Sequence, residues 1–148
     1  KHPLLLALLT DLLCLLKCYF PRLHQLYSNI LDNLCNENPS LTLNFAKCCF
    51  AASSFNSKHT VTFPHHNSFN LLFGQCIVFT CGIFDYEKME KSGHLVLEDL
   101  ELIIELPPSC IILLSSTLFW HSNIVISPHK SQHTFFDWAH HHHQQTLI

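Results

Sequence analysis

Residues 63–76 read FPHHNSFNLLFGQC, and they lie where a helical pattern gives way to short apolar runs. The runs that follow and precede this stretch are separated by Pro, Ser, Gly and Asn, and several are rich in Val, Ile and Phe. They are His59–Phe63, Gln75–Cys81, His94–Leu97, Leu102–Leu106, Cys110–Leu114, Ile124–Ser127 and Thr134–Trp138. Repeated short strands separated by turn residues predict an all-β sandwich or barrel.

The clearest pattern before this stretch is a helix that starts after Pro21. Apolar residues recur at the spacing of one helical face, and Asn36 to Pro39 then ends the pattern. The residues of that face are Leu23, Leu26, Tyr27, Ile30, Leu31 and Leu34. We expect a packing helix without chemistry of its own.

A leucine-rich run, Leu4 to Leu16, opens the chain. It has only 13 residues and contains Asp11, whereas a membrane span needs roughly 20 apolar residues. The core of a signal peptide is the alternative, because Lys1 and His2 precede the run, but no small-residue cleavage site follows before Lys17. We expect a buried helix.

Composition sets the size and the charge of the molecule. A chain of 148 residues with 48% apolar residues is enough for one domain with an ordinary core. The formal charge of -3 does not provide the basic face with which proteins grip a phosphate backbone, so any nucleic-acid contact must be local.

The eight cysteines leave two interpretations open. A small secreted disulfide scaffold is one of them, although such scaffolds are usually shorter and less apolar. The other is a set of thiols outside disulfides, because no CxxC pair occurs and the spacing of Cys14 and Cys18 places both on one face of an apolar helix. We expect these two thiols to be buried.

Two histidines stand where a non-haem iron site would have its ligands. Such sites hold Fe(II) with two histidines and one carboxylate on one face of the metal, in the pattern His-x-Asp followed by a distant His. His65 and the distant His121 have this arrangement, but Asn67 stands at the carboxylate position. By spacing alone the signal is weak, since the chain has 13 histidines and a core or surface histidine is the commoner role.

Several ordered segments resemble the expanded fungal branch of the TET/JBP-like dioxygenases. Residues 63–76 resemble its iron-ligand segment, F-P-H-x-D-x-x-N-L-x-F-G-W-C. Residues 92–100 resemble its G-G-H-L-V-L-x-D-L strand, residues 103–109 its I-E-F-P-P-G segment, and residues 116–123 its S-A-T-L-x-H-S-N segment. The resemblance extends roughly from Pro21 to Trp138.

The resemblance implies a mainly β, α+β fold: a double-stranded β-helix, or jelly roll, preceded by N-terminal helices. It also implies Fe(II) and 2-oxoglutarate as cofactors, nucleic acid as partner, and an intracellular, nuclear location. The reaction would oxidise the methyl group of 5-methylcytosine or thymine, usually on a base flipped out of the stack. The domain would span residues 21–138, with the apolar helix 1–20 outside the resemblance.

The resemblance also assigns the site residues one by one. His65 takes the first ligand position, Asn67 the carboxylate position and His121 the distal ligand position. The arginine that pairs with the far carboxylate of 2-oxoglutarate would fall at Gln132, with Lys130 close by as a substitute that lacks the planar fork. Because the carboxylate and the arginine are both replaced, we expect impaired or absent turnover.

The chain departs further from the family at its C-terminal end. The family continues through a glycine pair into an aromatic-Arg segment, whereas Ala139 is followed here by a His- and Gln-rich tail over residues 139–148. We therefore expect a C-terminally truncated domain with an unpaired sheet edge. The alternative function, from a different class, is a catalytically dead binding or interaction module on the same jelly-roll scaffold.

Overall fold

The computed structural model describes residues 14–41, 48–56, 61–127 and 129–138, the last four of them by their backbone alone. A helical segment, residues 14–19, precedes helix α1, Pro21–Glu37. Seven strands follow: β1 Ala52–Asn56, β2 Cys76–Ile83, β3 Leu95–Leu97, β4 Leu102–Ile104, β5 Ile111–Leu114, β6 His121–Asn123 and β7 Ser131–Trp138. Within these residues no helix is long and apolar enough to cross a bilayer.

Helix α1 confirms the helix predicted after Pro21. Proline occupies the first turn, where its missing N–H costs nothing, and the helix closes with a hydrogen bond from the Asn38 N–H to the Leu34 carbonyl. Tyr27 is the buried residue of its apolar face, while Leu26 is 37% exposed. The helix therefore touches the sheet along a narrower stripe than its apolar spacing indicates.

The strands form two antiparallel sheets. The larger has the order β1-β7-β2-β5 and the smaller the order β4-β3-β6. Five of the predicted runs overlap strands β2, β3, β4, β5 and β7. The strand predicted at Ile124–Ser127 is wrong, because pairing with β3 selects His121–Asn123 instead and leaves only a single bridge at Ile126.

Two further details of the strand prediction are corrected. Residues 61–63, the described part of the run His59–Phe63, are not in a strand. Strand β1 was not predicted, since Ala52–Asn56 has few residues that favour strands, and its place comes from backbone pairing with β7.

The core lies in two clusters on opposite sides of β2. One cluster joins the helices to the sheet and includes Leu16, Tyr27, Phe50 and Ile77, and the other lies between the two sheets. Leu16 is fully buried, but residues 1–13, which hold the rest of the predicted apolar helix, lie outside the described residues, as does the tail 139–148.

All eight cysteines lie in described residues, and none takes part in a disulfide. Cys14 and Cys18 are exposed, so the expectation that they are buried is wrong. The apolar residues between them set the buried side of this helical segment at Leu16, which turns both thiols outward.

Candidate metal centre and its cavity

A short backbone bridge brings the two candidate histidine ligands together. The His65 N–H donates to the His121 carbonyl at 3.1 Å, and the His121 N–H donates to the His65 carbonyl at 2.9 Å. Their ring centroids are 4.4 Å apart. Residues far apart in the chain are therefore held side by side by main-chain hydrogen bonds, whatever their side chains bind.

Each imidazole is also fixed in its tautomer. Nδ1 of His65 lies 2.9 Å from the Phe63 carbonyl, and Nδ1 of His121 lies 2.9 Å from the Phe119 carbonyl. A carbonyl only accepts, so in the neutral ring the proton lies on Nδ1 and the Nε2 lone pair is left for a ligand. This is the outer-shell support that metal-binding histidines usually have.

The electrostatic setting of His121 favours the neutral form. Burial is the main cause that lowers the pKa of its imidazole; the hydrogen bond with the Phe119 carbonyl opposes this, and the neighbouring His65 and His66 lower the pKa by smaller amounts. A neutral imidazole is the form that binds a metal ion. His121 is therefore in its ligand form at neutral pH.

Asn67 lies on the turn that follows His65 and lines the same cavity. Its N–H donates to the Ser116 carbonyl at 2.9 Å, and its carbonyl accepts from the Thr117 hydroxyl at 3.2 Å. The segment that carries Asn67 is thus tied to the loop before His121. No cluster of three or more His, Cys, Asp or Glu that could hold a metal occurs among the described residues, so the set is two imidazoles and one neutral amide.

A cavity of about 410 Å³ opens from these residues between the two sheets. Its wall carries apolar side chains from both sheets, including Val78, Leu95 and Leu114, together with Leu106 from the segment after β4. Thr80 and Gln132 also line it, and both are buried. The described residues around the cavity include histidines but no Lys, Arg, Asp or Glu.

Gln132 and Lys130 have different surroundings. Gln132 is 4% exposed, lines the cavity and donates from Nε2 to the Gly93 carbonyl at 3.1 Å. Lys130 does not line the cavity, and its ammonium lies 3.3 Å from a carboxylate oxygen of Asp85. The structure thus brings four of the five predicted site residues to one cavity and places Lys130 in an ion pair with Asp85 outside the lining.

Two residues that shape this cavity, Thr80 and Gly93, were not predicted as site residues. Thr80 lies in the apolar run of β2, and Gly93 belongs to the segment 92–100, which resembles a strand of the family and was assigned no role in the site. The sequence signal that could have identified Thr80 is a threonine at an inward position of an otherwise apolar strand.

No protein-family model matches the sequence. No curated protein matches it. Among solved structures, NgTET1 in complex with 5mC DNA is similar over 79% of this chain and 48% of that chain, with 18% identity and a TM-score of 0.54. The chain therefore spans about half the length of that protein.

A second similar structure is an RmlC-like cupin protein from Desulfovibrio desulfuricans, with 10% identity. The similarity covers 57% of this chain and 71% of that chain, and its TM-score of 0.35 is too low to support a conclusion. The likeness to NgTET1 confirms the predicted fold class, a mainly β jelly roll preceded by helices. The chain has a TET-like dioxygenase fold.

Proposed function

We propose that this chain, with its TET-like dioxygenase fold, derives from an Fe(II)- and 2-oxoglutarate-dependent dioxygenase of nucleic acid and has impaired or lost turnover. The observation that carries the proposal is the pair His65 and His121, bridged through the backbone and held with Nδ1 on carbonyl oxygens. Asn67 beside this pair supports the loss of turnover, since it stands where the dioxygenases have a carboxylate.

The two histidines fit a metal ion, and Asn67 fits it poorly. Neutral imidazoles with oriented rings bind divalent first-row metals well. The Asn67 amide offers one oxygen but no negative charge, and the described lining supplies no carboxylate in its place. We expect Fe(II) affinity to lie well below that of a two-histidine, one-carboxylate site, because a coordinating negative charge is missing.

The cavity does not fit the second carboxylate of 2-oxoglutarate. A buried carboxylate needs a cation, usually a bidentate arginine, to offset its desolvation. Gln132 offers only an amide, and Lys130 would have to leave Asp85 to act in its place. The replacements at the metal position and at the 2-oxoglutarate position therefore both lower the expected turnover.

Nucleic acid remains the proposed partner class. The NgTET1 structure contains 5mC DNA, and the cavity here has the size of a small-molecule site. At its mouth Phe69 is 58% exposed and the His66 ring lies 5.0 Å from the Trp120 ring, which gives flat surfaces on which a base can stack. The charge of -3 makes stacking, rather than phosphate contact, the main local interaction.

The second candidate function is a binding module that uses the cavity without oxidation. The neutral lining favours it, because such a cavity binds a small molecule without needing a metal-bound cosubstrate. Turnover separates the two: a lapsed enzyme regains it when its missing groups are restored, whereas a dedicated binding module does not.

The first test restores the two missing groups. An anaerobic Fe(II) titration with 2-oxoglutarate compares the natural chain with the double variant Asn67→Asp/Gln132→Arg by the charge-transfer absorption of the metal–oxoacid complex. We expect the band only in the double variant, with apparent Fe(II) affinity raised by at least roughly tenfold, since even the loss of an outer-shell partner costs about that much. His65→Ala in the double variant is the control and should abolish the band.

A band of equal strength in the natural chain would show that Asn67 and the neutral wall suffice, and the proposed loss would be wrong. If a folded double variant gave no band, as judged by circular dichroism, the assignment of the iron site would be wrong.

A further inference from the structure

Strand β4 is an open edge of the smaller sheet. The sheet has the order β4-β3-β6, so within the described part of the chain β4 has a neighbouring strand on one side only. The other outer strand, β6, is covered by residues 62–65, through the bridge to His65 and the Asn123 N–H, which donates to the Thr62 carbonyl at 3.4 Å. Among the described residues, the open edge of this sheet is therefore at β4.

The hydrogen-bond pattern shows which backbone groups of β4 point outward. The Glu98 N–H donates to the Trp120 carbonyl at 2.9 Å, so the even-numbered residues of β3 bond towards β6. In an antiparallel sheet alternate residues bond to opposite neighbours, so Leu95 and Leu97 bond towards β4, at the residues on either side of Ile103. The N–H and the carbonyl of Ile103 therefore point to the open edge, where no described residue bonds to them.

The side chains at this edge are apolar and exposed. Leu102 is 49% exposed and Ile103 is 47% exposed. Ile103 pairs with Val96 and lies with it on the outer face of the sheet, because Leu95 and Leu97 belong to the cluster on the inner face. An open edge with exposed apolar side chains and unpaired backbone groups is a template on which another strand can add.

Acidic residues flank the same edge. The stretch 98–105, EDLELIIE, has four carboxylates and no Lys or Arg. Glu101 and Glu105 are both exposed, and neither forms an ion pair with a described residue. They stand two residues before and two residues after Ile103, so a strand that adds to β4 passes both carboxylates.

These charges disfavour a second copy of this chain at the edge. If two copies paired antiparallel about Ile103, Glu101 of each copy would lie opposite Glu105 of the other. Like charges directly opposite each other destabilise a sheet, and this pairing would create two such contacts. The same two carboxylates favour Lys or Arg at the positions opposite them.

We infer that residues 101–105 form a docking edge for a basic, extended peptide segment, which adds to the smaller sheet as an antiparallel strand. The segment has an apolar residue opposite Ile103 and Lys or Arg two residues before and after it. Its central residue exchanges two backbone hydrogen bonds with Ile103, and its basic side chains lie opposite Glu101 and Glu105. None of residues 98–105 lines the cavity, and the inference does not depend on the proposed function.

The first test compares two peptides that differ only in charge. The basic peptide acetyl-TKTVTKT-amide and the acidic peptide acetyl-TETVTET-amide are each titrated calorimetrically into the natural chain at low ionic strength, where screening is weak. We expect the basic peptide to bind at least about tenfold more tightly, because both charge pairs change from attraction to repulsion in the acidic peptide.

Two methylated forms of the basic peptide separate strand addition from attraction between charges. N-methylation of the central valine removes the N–H that bonds to Ile103 and should weaken binding at least about tenfold. N-methylation of the threonine before it is the matched control, because that N–H points away from β4, and it should change the affinity by less than about twofold.

Two variants show whether the carboxylates at this edge set the preference. Glu101→Lys/Glu105→Lys should reverse the preference, so that the acidic peptide binds more tightly. Glu87→Lys/Glu90→Lys makes the same change of charge at exposed residues outside the edge and should keep the preference of the natural chain. Circular dichroism shows that each variant is folded.

Three results would overturn the inference. Equal binding of the two methylated peptides would show that charge attraction alone holds the peptide on the surface. A folded natural chain that binds neither peptide would show that the edge does not accept a strand. A folded Glu101→Lys/Glu105→Lys variant that still prefers the basic peptide would place the peptide elsewhere on the molecule.

Discussion

The two faces of strand β2 are buried to the same extent, but one packs against the helices and the other lines the cavity. Ile77 and Phe79 face the helices and belong to a filled apolar cluster with Tyr27 and Phe50. Val78, together with Cys76 and Thr80, faces the other way and lines the cavity. These five side chains are at most 9% exposed, so burial alone does not separate the packed face from the binding face.

The two faces of β2 are therefore stabilised by different interactions. On the helix face, side-chain volume is the stabilising quantity, because close-packed atoms have no room to relax. On the cavity face, space is already present, and hydrogen bonds and backbone conformation hold the groups in place, as at Gln132 and Gly93. Substitutions should therefore have different effects on the two sides.

The largest expected effect is on the helix face. Ile77→Ala removes a fully buried side chain from the packed cluster and should lower the free energy of unfolding by about 3 kcal/mol. Val78→Ala is the matched control on the cavity face, where the loss should be about 1.5 kcal/mol, since it mainly removes the transfer free energy of two buried methyl groups, roughly 0.8 kcal/mol each. Urea denaturation of both variants measures the two losses in the free energy of unfolding. Equal losses would contradict the proposed difference between the two faces of β2.

A second prediction concerns Tyr27, which joins α1 to the start of β2. Its hydroxyl accepts from the Gln75 N–H at 2.9 Å and lies 3.3 Å from the Gln75 carbonyl. Burial raises the pKa of Tyr27 to about 12. Tyr27→Phe should lower the free energy of unfolding by about 1 to 2 kcal/mol near neutral pH, because it leaves the Gln75 N–H without this acceptor.

The raised pKa of Tyr27 also fixes the sign of a pH dependence. The folded protein keeps the phenol proton at pH values where the unfolded chain, with its ordinary value near 10, has lost it. The stabilisation is complete below about pH 10 and is lost as the pH rises towards 12. Unfolding curves across this range should therefore fall more steeply for the natural chain than for Tyr27→Phe, and parallel curves would contradict the assignment.

The sequence predicted the helix face better than the cavity face, for a physical reason. Helix α1 and strand β2 follow from apolar periodicity, which reports on side chains that are excluded from water. Strand β6, His121–Asn123, has no such pattern, because its place is set by pairing with β3. Periodicity instead indicated the neighbouring apolar residues 124–127.

Some features of the candidate site could likewise be predicted from the sequence, and others could not. The segments that carry His65 and His121 were found through their spacing and through resemblance, and in the structure a backbone bridge joins the two residues. The contact of Gly93 with Gln132 and the outward hydrogen bond of Thr80 depend on which carbonyls lie nearby in three dimensions. No spacing in the sequence encodes those partners.

The smallest expected effect tests the backbone on the cavity side. Ser109 stands where the resembling family has glycine, and it has a φ of 68°, a left-handed conformation that costs a serine more than a glycine. Its N–H donates to the Thr80 carbonyl at 2.7 Å, so the turn is anchored to the cavity strand. Ser109→Gly should raise the free energy of unfolding by about 1 kcal/mol, measured by urea denaturation.

Ser92, another serine at a glycine position of that pattern, is the matched control for Ser109. It has a φ of -96°, is fully buried and donates to the Met89 carbonyl at 3.1 Å, so Ser92→Gly should destabilise the protein. A rise in the free energy of unfolding for Ser109→Gly and a fall for Ser92→Gly would establish that backbone conformation, rather than the loss of a side chain, decides stability on this side of the sheet. If Ser109→Gly also lowered the free energy of unfolding, side-chain contacts would outweigh backbone strain at both serines. The proposed difference between the two faces of β2 would then be wrong at this turn.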